Sequence, residues 1–196
     1  MTNTADCLAA ACERTAALLH QVRDDQLAAA TPCENLSVAE LVAHVGSLGV
    51  AFAAAARKDF GDLTDTPPGD DGYRLDDDWR SRYPVNLADL AASWRDPAGY
   101  DGMTRVGGVD LPGEVAGSVA LGEVVIHGWD IAVATGHDYD VDPPTAQAVL
   151  DHVSAFAADG PVEGLFGAAV EVGDGATTFE RALALSGRDP GWRKLE

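Results

Sequence analysis

Residues 111–136, LPGEVAGSVALGEVVIHGWDIAVATG, form the longest helical pattern in the chain, and the rest of the sequence is organised around them. Apolar side chains recur at helical spacing throughout this stretch. Glu123 and His127 lie four positions apart in its middle. Four residues are about one helical turn, a rise of roughly 6 Å, so both side chains leave the same face and can meet one metal ion.

Two neighbouring rows of side chains run along this predicted helix. One row is apolar and is predicted to be a core stripe: Val115, Val119, Gly122, Ile126, Trp129 and Val133. The other carries three ionisable groups between alanines and is predicted to face an interior cavity: Ala116, Ala120, Glu123, His127, Asp130 and Ala134. A buried carboxylate is costly unless it is paired or binds a metal. Spacing alone leaves two interpretations open, a metal site or a salt-linked pair on a solvated face.

A second predicted helix offers a third metal ligand. Ser37 and Glu40 have the spacing of a capping box, so a helix is expected from there to about Arg57. His44 borders its apolar stripe, which is formed by Leu41, Val45, Leu48 and Phe52. Because this helix is expected to pack against the central one, His44 is the best candidate to complete a set of two imidazoles and one carboxylate. The other histidines fit this set less well: His20, His137 and His152.

The remaining pattern is mostly helical. Further helices are predicted over residues 5–29, 87–95, 143–158 and 178–186, with a hairpin at 103–112 and extended pieces at 165–166 and 170–172. Residues 58–82 are rich in Asp, Gly and Pro and are predicted to form a long surface excursion. We find no internal repeat and no strong linker. An all-α fold in a single domain, residues 1–196, is therefore expected.

Composition and charge narrow the classes of partner. The net charge of −19 repels phosphate backbones, so no nucleic-acid partner is expected. We identify no apolar run long enough to cross a membrane and no signal peptide, so we expect no membrane partner and a cytoplasmic location. The three cysteines show no CxxC spacing, so no disulfide framework is expected.

A few polar residues are candidates for contact with a ligand. Arg74, Arg80 and Arg82 are candidates for binding an anionic cofactor, because basic residues are scarce in this chain. Asp130 follows His127 by three residues and is the candidate catalytic residue, as a proton acceptor or as a group that orients a ligand. The plainer alternative is an Asp on a helix surface. Cys33 is expected to be a structural thiol.

Three segments of the chain resemble one protein family. TPCENLSVAELVAHVG (31–46) resembles its opening motif, GEVVIHGWDIAVATG (122–136) its second motif, and LFGAAVEVGDGATTFERALALSGRDPGW (165–192) its usual ending. The family is the mycothiol-dependent maleylpyruvate isomerase-like group, which belongs to the DinB-like superfamily of metal-binding bundles. The resemblance covers nearly the whole chain.

The resemblance implies a DinB-like four-helix bundle with long connecting loops and a small C-terminal extension. It implies a metal on His44, Glu123 and His127, with Zn²⁺ favoured and Ni²⁺, Fe²⁺ or Mn²⁺ as alternatives. It also implies mycothiol as co-substrate, activated by the metal toward a small electrophile, in a transferase or an isomerase. Because the superfamily often dimerises, a homodimer is a further expectation.

Two alternatives to the enzyme remain open. In one, the bundle is not catalytic and uses the metal as a sensor or as a sequestration module. In the other, the polar trio has lost the metal and serves only packing.

Overall fold

The fold was analysed in a computed structural model that describes residues 3–33, 36–67, 72–157, 160 and 165–193. Within these ranges the helices and strands are, in chain order, α1 (Thr4–Leu19), α2 (Val38–Arg57), α3 (Asp62–Asp65), α4 (Trp79–Ser93), β1 (Met103–Val106), β2 (Val109–Pro112), α5 (Gly113–Thr135), α6 (Pro143–Ala157) and α7 (Thr178–Leu185). The predicted hairpin is present. It pairs antiparallel and reverses at Gly107 and Gly108, both of which have positive φ.

Four of the helices form a bundle. α2 packs against α4 and α5, and α1 packs against the same two helices, so the order around the bundle is α1, α4, α2, α5. α6 and α7 pack against each other, and α6 also contacts α5 and α1. The predicted all-α bundle with a small C-terminal extension is confirmed.

α5 is the central helix and is buried on almost every side. Ala116, Ala120 and Asp130 are completely buried, whereas Val115 and Val119 are only half-buried. Gly122, Ile126 and Trp129 of the predicted core stripe are buried, so the stripe is only partly confirmed, and the row with the ionisable groups lies at least as deep. α5 contacts α1, α2 and α6, and a helix surrounded in this way buries more than one face.

α1 ends ten residues before its predicted end. After Leu19 the chain turns, and the Gln26 side chain donates a hydrogen bond to the Thr135 carbonyl at 2.8 Å. The Arg23 amide donates to Gln26 Oε1 at 2.9 Å. These two bonds fix residues 23–26 as a short 3₁₀ turn against the end of α5, which replaces the predicted last helical turns.

α4 begins eight residues before the predicted helix and shortens the predicted surface excursion. It runs through Pro84, which lies outside the predicted excursion. Trp79 and Tyr83 are almost completely buried and anchor the first turns of this helix. The Tyr83 ring lies against Gly46 of α2, where a Cβ would stand 2.6 Å from the ring. The packing of Trp79 and Tyr83 into the core therefore accounts for the earlier start of α4.

Two helices satisfy the length and composition of a membrane span. They are α2 and α5, with mean hydropathies of 1.6 and 1.2 over their 18-residue windows. The expectation that no apolar run reaches this length was wrong. Of these windows, 72% and 78% are buried inside the fold, so packing in the bundle accounts for their apolar composition.

Candidate metal centre

Local signals at the starts of α2 and α5 place the candidate ligands. Ser37 caps α2: its hydroxyl accepts from the Glu40 amide at 3.4 Å, and its own amide donates to Glu40 Oε2 at 2.8 Å. α5 follows the hairpin directly, and its first residue, Gly113, lies so close to Gly99 that a Cβ would stand 2.5 Å from the Gly99 carbonyl oxygen. The two packed helices therefore have defined starting points.

The structure brings the three predicted metal ligands together between α2 and α5. Glu123 Oε2 lies 3.1 Å from His127 Nε2 and 3.4 Å from His44 Nε2. The three ligand atoms lie within 4.8 Å of one another. His44 and His127 are 7% and 8% exposed. Two imidazoles and one carboxylate, contributed by two helices, thus converge on one point.

Asp130 lies behind the His127 ring. Its Oδ2 atom is 3.1 Å from His127 Nδ1, and the same oxygen accepts from Nη2 of Arg188 at 3.3 Å. Asp130 is completely buried, so the interpretation of this residue as a helix-surface Asp was wrong. A carboxylate on the second nitrogen of an imidazole is a typical neighbour of a metal ligand, because it fixes the tautomer and the ring orientation.

The buried charges of this cluster balance one another. Burial raises the pKa of Glu123, but hydrogen bonds with His127 and His44 outweigh burial and hold it well below its ordinary value. Burial lowers the pKa of His127, but hydrogen bonds with Asp130 and Glu123 raise it to about 9. The pKa of His44 is lowered, mainly by burial. The two carboxylates therefore face two cations, the His127 imidazolium and Arg188.

The donor set fits a divalent metal ion. Two imidazole nitrogens and one carboxylate are a known zinc set that leaves a coordination position open. The contact between His127 Nδ1 and Asp130 leaves Nε2 toward Glu123, as such a site requires. Because a metal-bound imidazole must be neutral, a metal would displace the proton from His127. The cost of burying Glu123 therefore does not by itself demand a metal.

The C-terminal extension closes the site on one side. A cavity of about 10 Å³, room for about one water molecule, lies beside Glu123 and His127. Its other walls are Gly122, Ile126, His152, Leu165, Phe166 and Arg188.

Tyr73 reaches the site from the loop before α4. Its ring meets the His44 ring edge-on, with centroids 4.7 Å apart. Burial, Glu123 and Cys33 together raise the pKa of the Tyr73 phenol. This contact anchors the loop to α2 beside the candidate ligands.

Sequence reasoning missed Arg188. It follows Gly187, a residue with φ +89° at the end of α7, and is 8% exposed. The available signal was an arginine directly after a helix-ending glycine, within the closing motif of a chain with only 13 basic residues.

The predicted anion-binding arginines are placed elsewhere. Arg80 pairs with Asp24 at 2.7 Å, and Arg82 pairs with Asp76 at 3.1 Å. Arg74 is exposed. Within the described part of the chain, these three side chains form no hydrogen bond or ion pair with the metal-ligand candidates.

A second group of donor atoms overlaps the first. Cys33, His127 and Asp130 also place one donor atom each within 4.8 Å of one another. Burial raises the pKa of the half-buried Cys33 thiol to about 11, and nearby Arg188 opposes that shift. Cys33 is a free thiol, as the lack of a disulfide pattern predicted.

The sequence profile of the mycothiol maleylpyruvate isomerase N-terminal domain matches residues 8–132, well over half of the chain. The chain belongs to this family. The family resemblance predicted from the sequence motifs is thereby confirmed. The matched region contains His44, Glu123 and His127, whereas Arg188 lies beyond it.

The chain is also similar to two proteins of known sequence and to one solved structure. Two uncharacterized proteins of Mycobacterium tuberculosis, from strains CDC 1551 and H37Rv, are each 34% identical over 137 residues, which is 67% of this chain and 66% of theirs. The crystal structure of a mutant mycothiol-dependent maleylpyruvate isomerase superposes with a TM-score of 0.62 and 17% identity, covering 83% of this chain and 73% of that one. At this identity the match establishes the fold, and the DinB-like bundle is confirmed.

Proposed function

We propose that this protein is a metal-dependent enzyme that uses a low-molecular-weight thiol, mycothiol, in a transferase or isomerase reaction on a small electrophile. His44, Glu123 and His127 hold the metal. Zn²⁺ suits this set best, and Ni²⁺, Fe²⁺ and Mn²⁺ are alternatives. The observation that carries the proposal is the convergence of the three ligand atoms within 4.8 Å, with Asp130 on the far nitrogen of His127.

The residues of the site have separate roles in this proposal. A bound divalent ion lowers the pKa of a thiol, and the thiolate is the nucleophile. Asp130 holds the His127 ring through Nδ1, so that Nε2 faces Glu123. Tyr73 packs against the His44 ring and restricts its rotation. Leu165 and Phe166 form part of the wall of the adjoining cavity.

Mycothiol is proposed because the matched family is that of the mycothiol maleylpyruvate isomerase N-terminal domain and the structural relative is a mycothiol-dependent enzyme. The three free cysteines are compatible with a reducing compartment, and we propose a cytoplasmic location. We also propose a homodimer on the basis of the superfamily resemblance. Light scattering on the purified protein measures the mass and tests the dimer.

Metal content and thiol transfer test the function together. Protein purified without chelator is analysed for metal, then assayed with mycothiol and monochlorobimane. We expect about one ion per chain and thiol-dependent turnover, both lost in His44→Ala and Glu123→Gln. Glu114→Gln is the matched control, because Glu114 is an exposed residue of the same helix. Metal-free protein whose turnover survives Glu123→Gln would refute the proposal.

One observation favours a second candidate, a metal-binding module without catalysis. Because His127 and Arg188 already balance the two carboxylates, the fold does not need the metal, and metal exchange can be easy. A bound ion that exchanges readily, without thiol turnover in the same assay, would support a sensor or a sequestration module. If no ion binds at all, the polar cluster serves packing alone.

A further inference from the structure

Two sets of donor atoms compete for His127. The first is His44, Glu123 and His127, and the second is Cys33, His127 and Asp130. His127 faces Glu123 with Nε2 and Asp130 with Nδ1, so each set uses a different nitrogen of the same ring. A sulfur, a nitrogen and a carboxylate oxygen form a ligand set that zinc and cobalt both accept.

The guanidinium of Arg188 already stands as a cation beside the second set. It donates to Asp130 Oδ2 at 3.3 Å, the oxygen that also meets His127 Nδ1, and it lies close enough to Cys33 to oppose the rise of that pKa. Asp130 Oδ1 and Arg188 Nε are both buried without a hydrogen-bond partner in the described part of the chain. This leftover acceptor and donor belong to the same ion pair, so a carboxylate–guanidinium fork has the capacity for a second bond.

Hydrogen bonds within the C-terminal extension restrict the position of Arg188. The Arg188 amide donates to the Leu183 carbonyl at 2.9 Å, and Nη1 donates to the Ser186 carbonyl at 3.1 Å. The preceding Gly187 has φ +89° and lies against Gly167, where a Cβ would stand 2.7 Å from the Gly167 Cα. Backbone contacts therefore hold the guanidinium at Asp130 independently of any metal.

We propose that Arg188 is a positioning residue that selects which nitrogen of His127 is offered to a metal. Its guanidinium is a fixed cation beside Cys33, His127 and Asp130. It keeps Asp130 as the acceptor for His127 Nδ1 and leaves Nε2 for a metal bound by His44 and Glu123. A divalent ion at Cys33, His127 and Asp130 would be repelled by the guanidinium and would have to break its bond to Asp130. Without Arg188 this repulsion disappears, and Asp130 becomes a buried carboxylate in need of a cation.

Cobalt(II) is a suitable probe, since a thiolate bound to cobalt gives a charge-transfer absorption that nitrogen and oxygen ligands do not give. The inference rests on the proposed metal site. Wild type, which tests that site, is therefore loaded with Co²⁺ in parallel with Arg188→Met and Arg188→Lys, which test Arg188. The double variant Arg188→Met with Cys33→Ser identifies the sulfur. Arg181→Met is the matched control, because Arg181 is an exposed arginine of α7 that donates to backbone carbonyls. Circular dichroism checks the fold of each variant.

We expect one cobalt ion per wild-type chain and no thiolate band. We expect the band to appear in Arg188→Met, to disappear in the double variant, and to stay absent in Arg188→Lys and Arg181→Met. Arg188→Met that folds and shows no thiolate band would overturn the inference, and so would a Cys33-dependent band in wild type. A third outcome separates the two proposals. If wild type takes up no ion but Arg188→Met shows a Cys33-dependent band, the proposed metal site is refuted and the role of Arg188 is supported.

A measurement on wild type keeps the inference testable if Arg188→Met does not fold. Long-range ¹H–¹⁵N NMR distinguishes the two nitrogens of His127 before and after Zn²⁺ is added. The inference requires Nδ1 to keep its hydrogen while Nε2 takes the metal. Zinc on Nδ1 would overturn it.

Discussion

The imidazole of His152 in α6 lies directly over Gly122 of α5. A Cβ at position 122 would stand 2.6 Å from Cδ2 and 2.9 Å from Nε2 of that ring. Such distances are too short for carbon contacts, so glycine lets the C-terminal extension close onto the bundle at the residue next to Glu123.

Gly122→Ala is therefore expected to destabilise the protein. Alanine normally stabilises a helix interior relative to glycine by about 0.5–1 kcal/mol. Here the overpacking of His152 should reverse the sign and cost about 1–3 kcal/mol of the free energy of unfolding, measured in urea. The same substitution in a His152→Ala background provides the control, because the clash is then gone. An equal cost in both backgrounds would contradict the predicted contact.

His152 should also make the protein sensitive to acid. Burial lowers the pKa of His152 to about 4, against its ordinary value of 6.5. The unfolded chain therefore takes up the proton near pH 6.5, while the folded protein resists until about pH 4. The contribution of neutral His152 to the free energy of unfolding is therefore fully present above about pH 6.5. It is lost as pH falls toward 4, by roughly 3 kcal/mol in total.

Urea unfolding of wild type and His152→Gln across the same pH window tests this expectation. Glutamine does not titrate, so the free energy of unfolding of the variant should fall less between about pH 6.5 and 4. Parallel losses in both proteins would show that other groups cause the acid sensitivity.

Much of the fold follows from local signals. The capping box at Ser37 and Glu40 marks the start of α2, and paired glycines mark the hairpin before α5. The start of α4 could not be predicted in this way, because its cause is the packing of Trp79 and Tyr83 into the core. The end of α1 depends on a side chain that bonds to residue 135, more than a hundred positions away.

The residues of the candidate site also differ in whether local sequence signals could identify them. Glu123 and His127 could be paired from the sequence because one helical turn relates them, and the bordering position of His44 on α2 made it the third candidate. Arg188 could not, since it reaches Asp130 across 58 positions of the chain through a turn that only tertiary packing positions. The alternative of a helix-surface Asp130 was wrong, because α5 is covered on more sides than a typical amphipathic helix.

Metal affinity should depend on pH through His127. Its pKa is about 9, the result of hydrogen bonds with Asp130 and Glu123 that outweigh burial. Below that pH the metal must displace a proton, so zinc affinity should rise by about tenfold per pH unit as pH increases toward 9. Calorimetry in buffers of different ionisation enthalpy should detect about one proton released per zinc near pH 7. Affinity that does not change with pH would contradict a metal on His127.

Asp130→Asn should weaken zinc binding although Asp130 is not among the predicted ligands. The substitution removes the charge behind His127 Nδ1, and losses at such positions are typically about 10- to 100-fold in affinity. It also leaves the buried Arg188 guanidinium without its counterion, so the free energy of unfolding should fall by about 3–5 kcal/mol. Asp151→Asn, an exposed change on α6, is the control. Zinc titrations that give equal affinities for wild type and a folded Asp130→Asn variant would remove Asp130 from the metal centre.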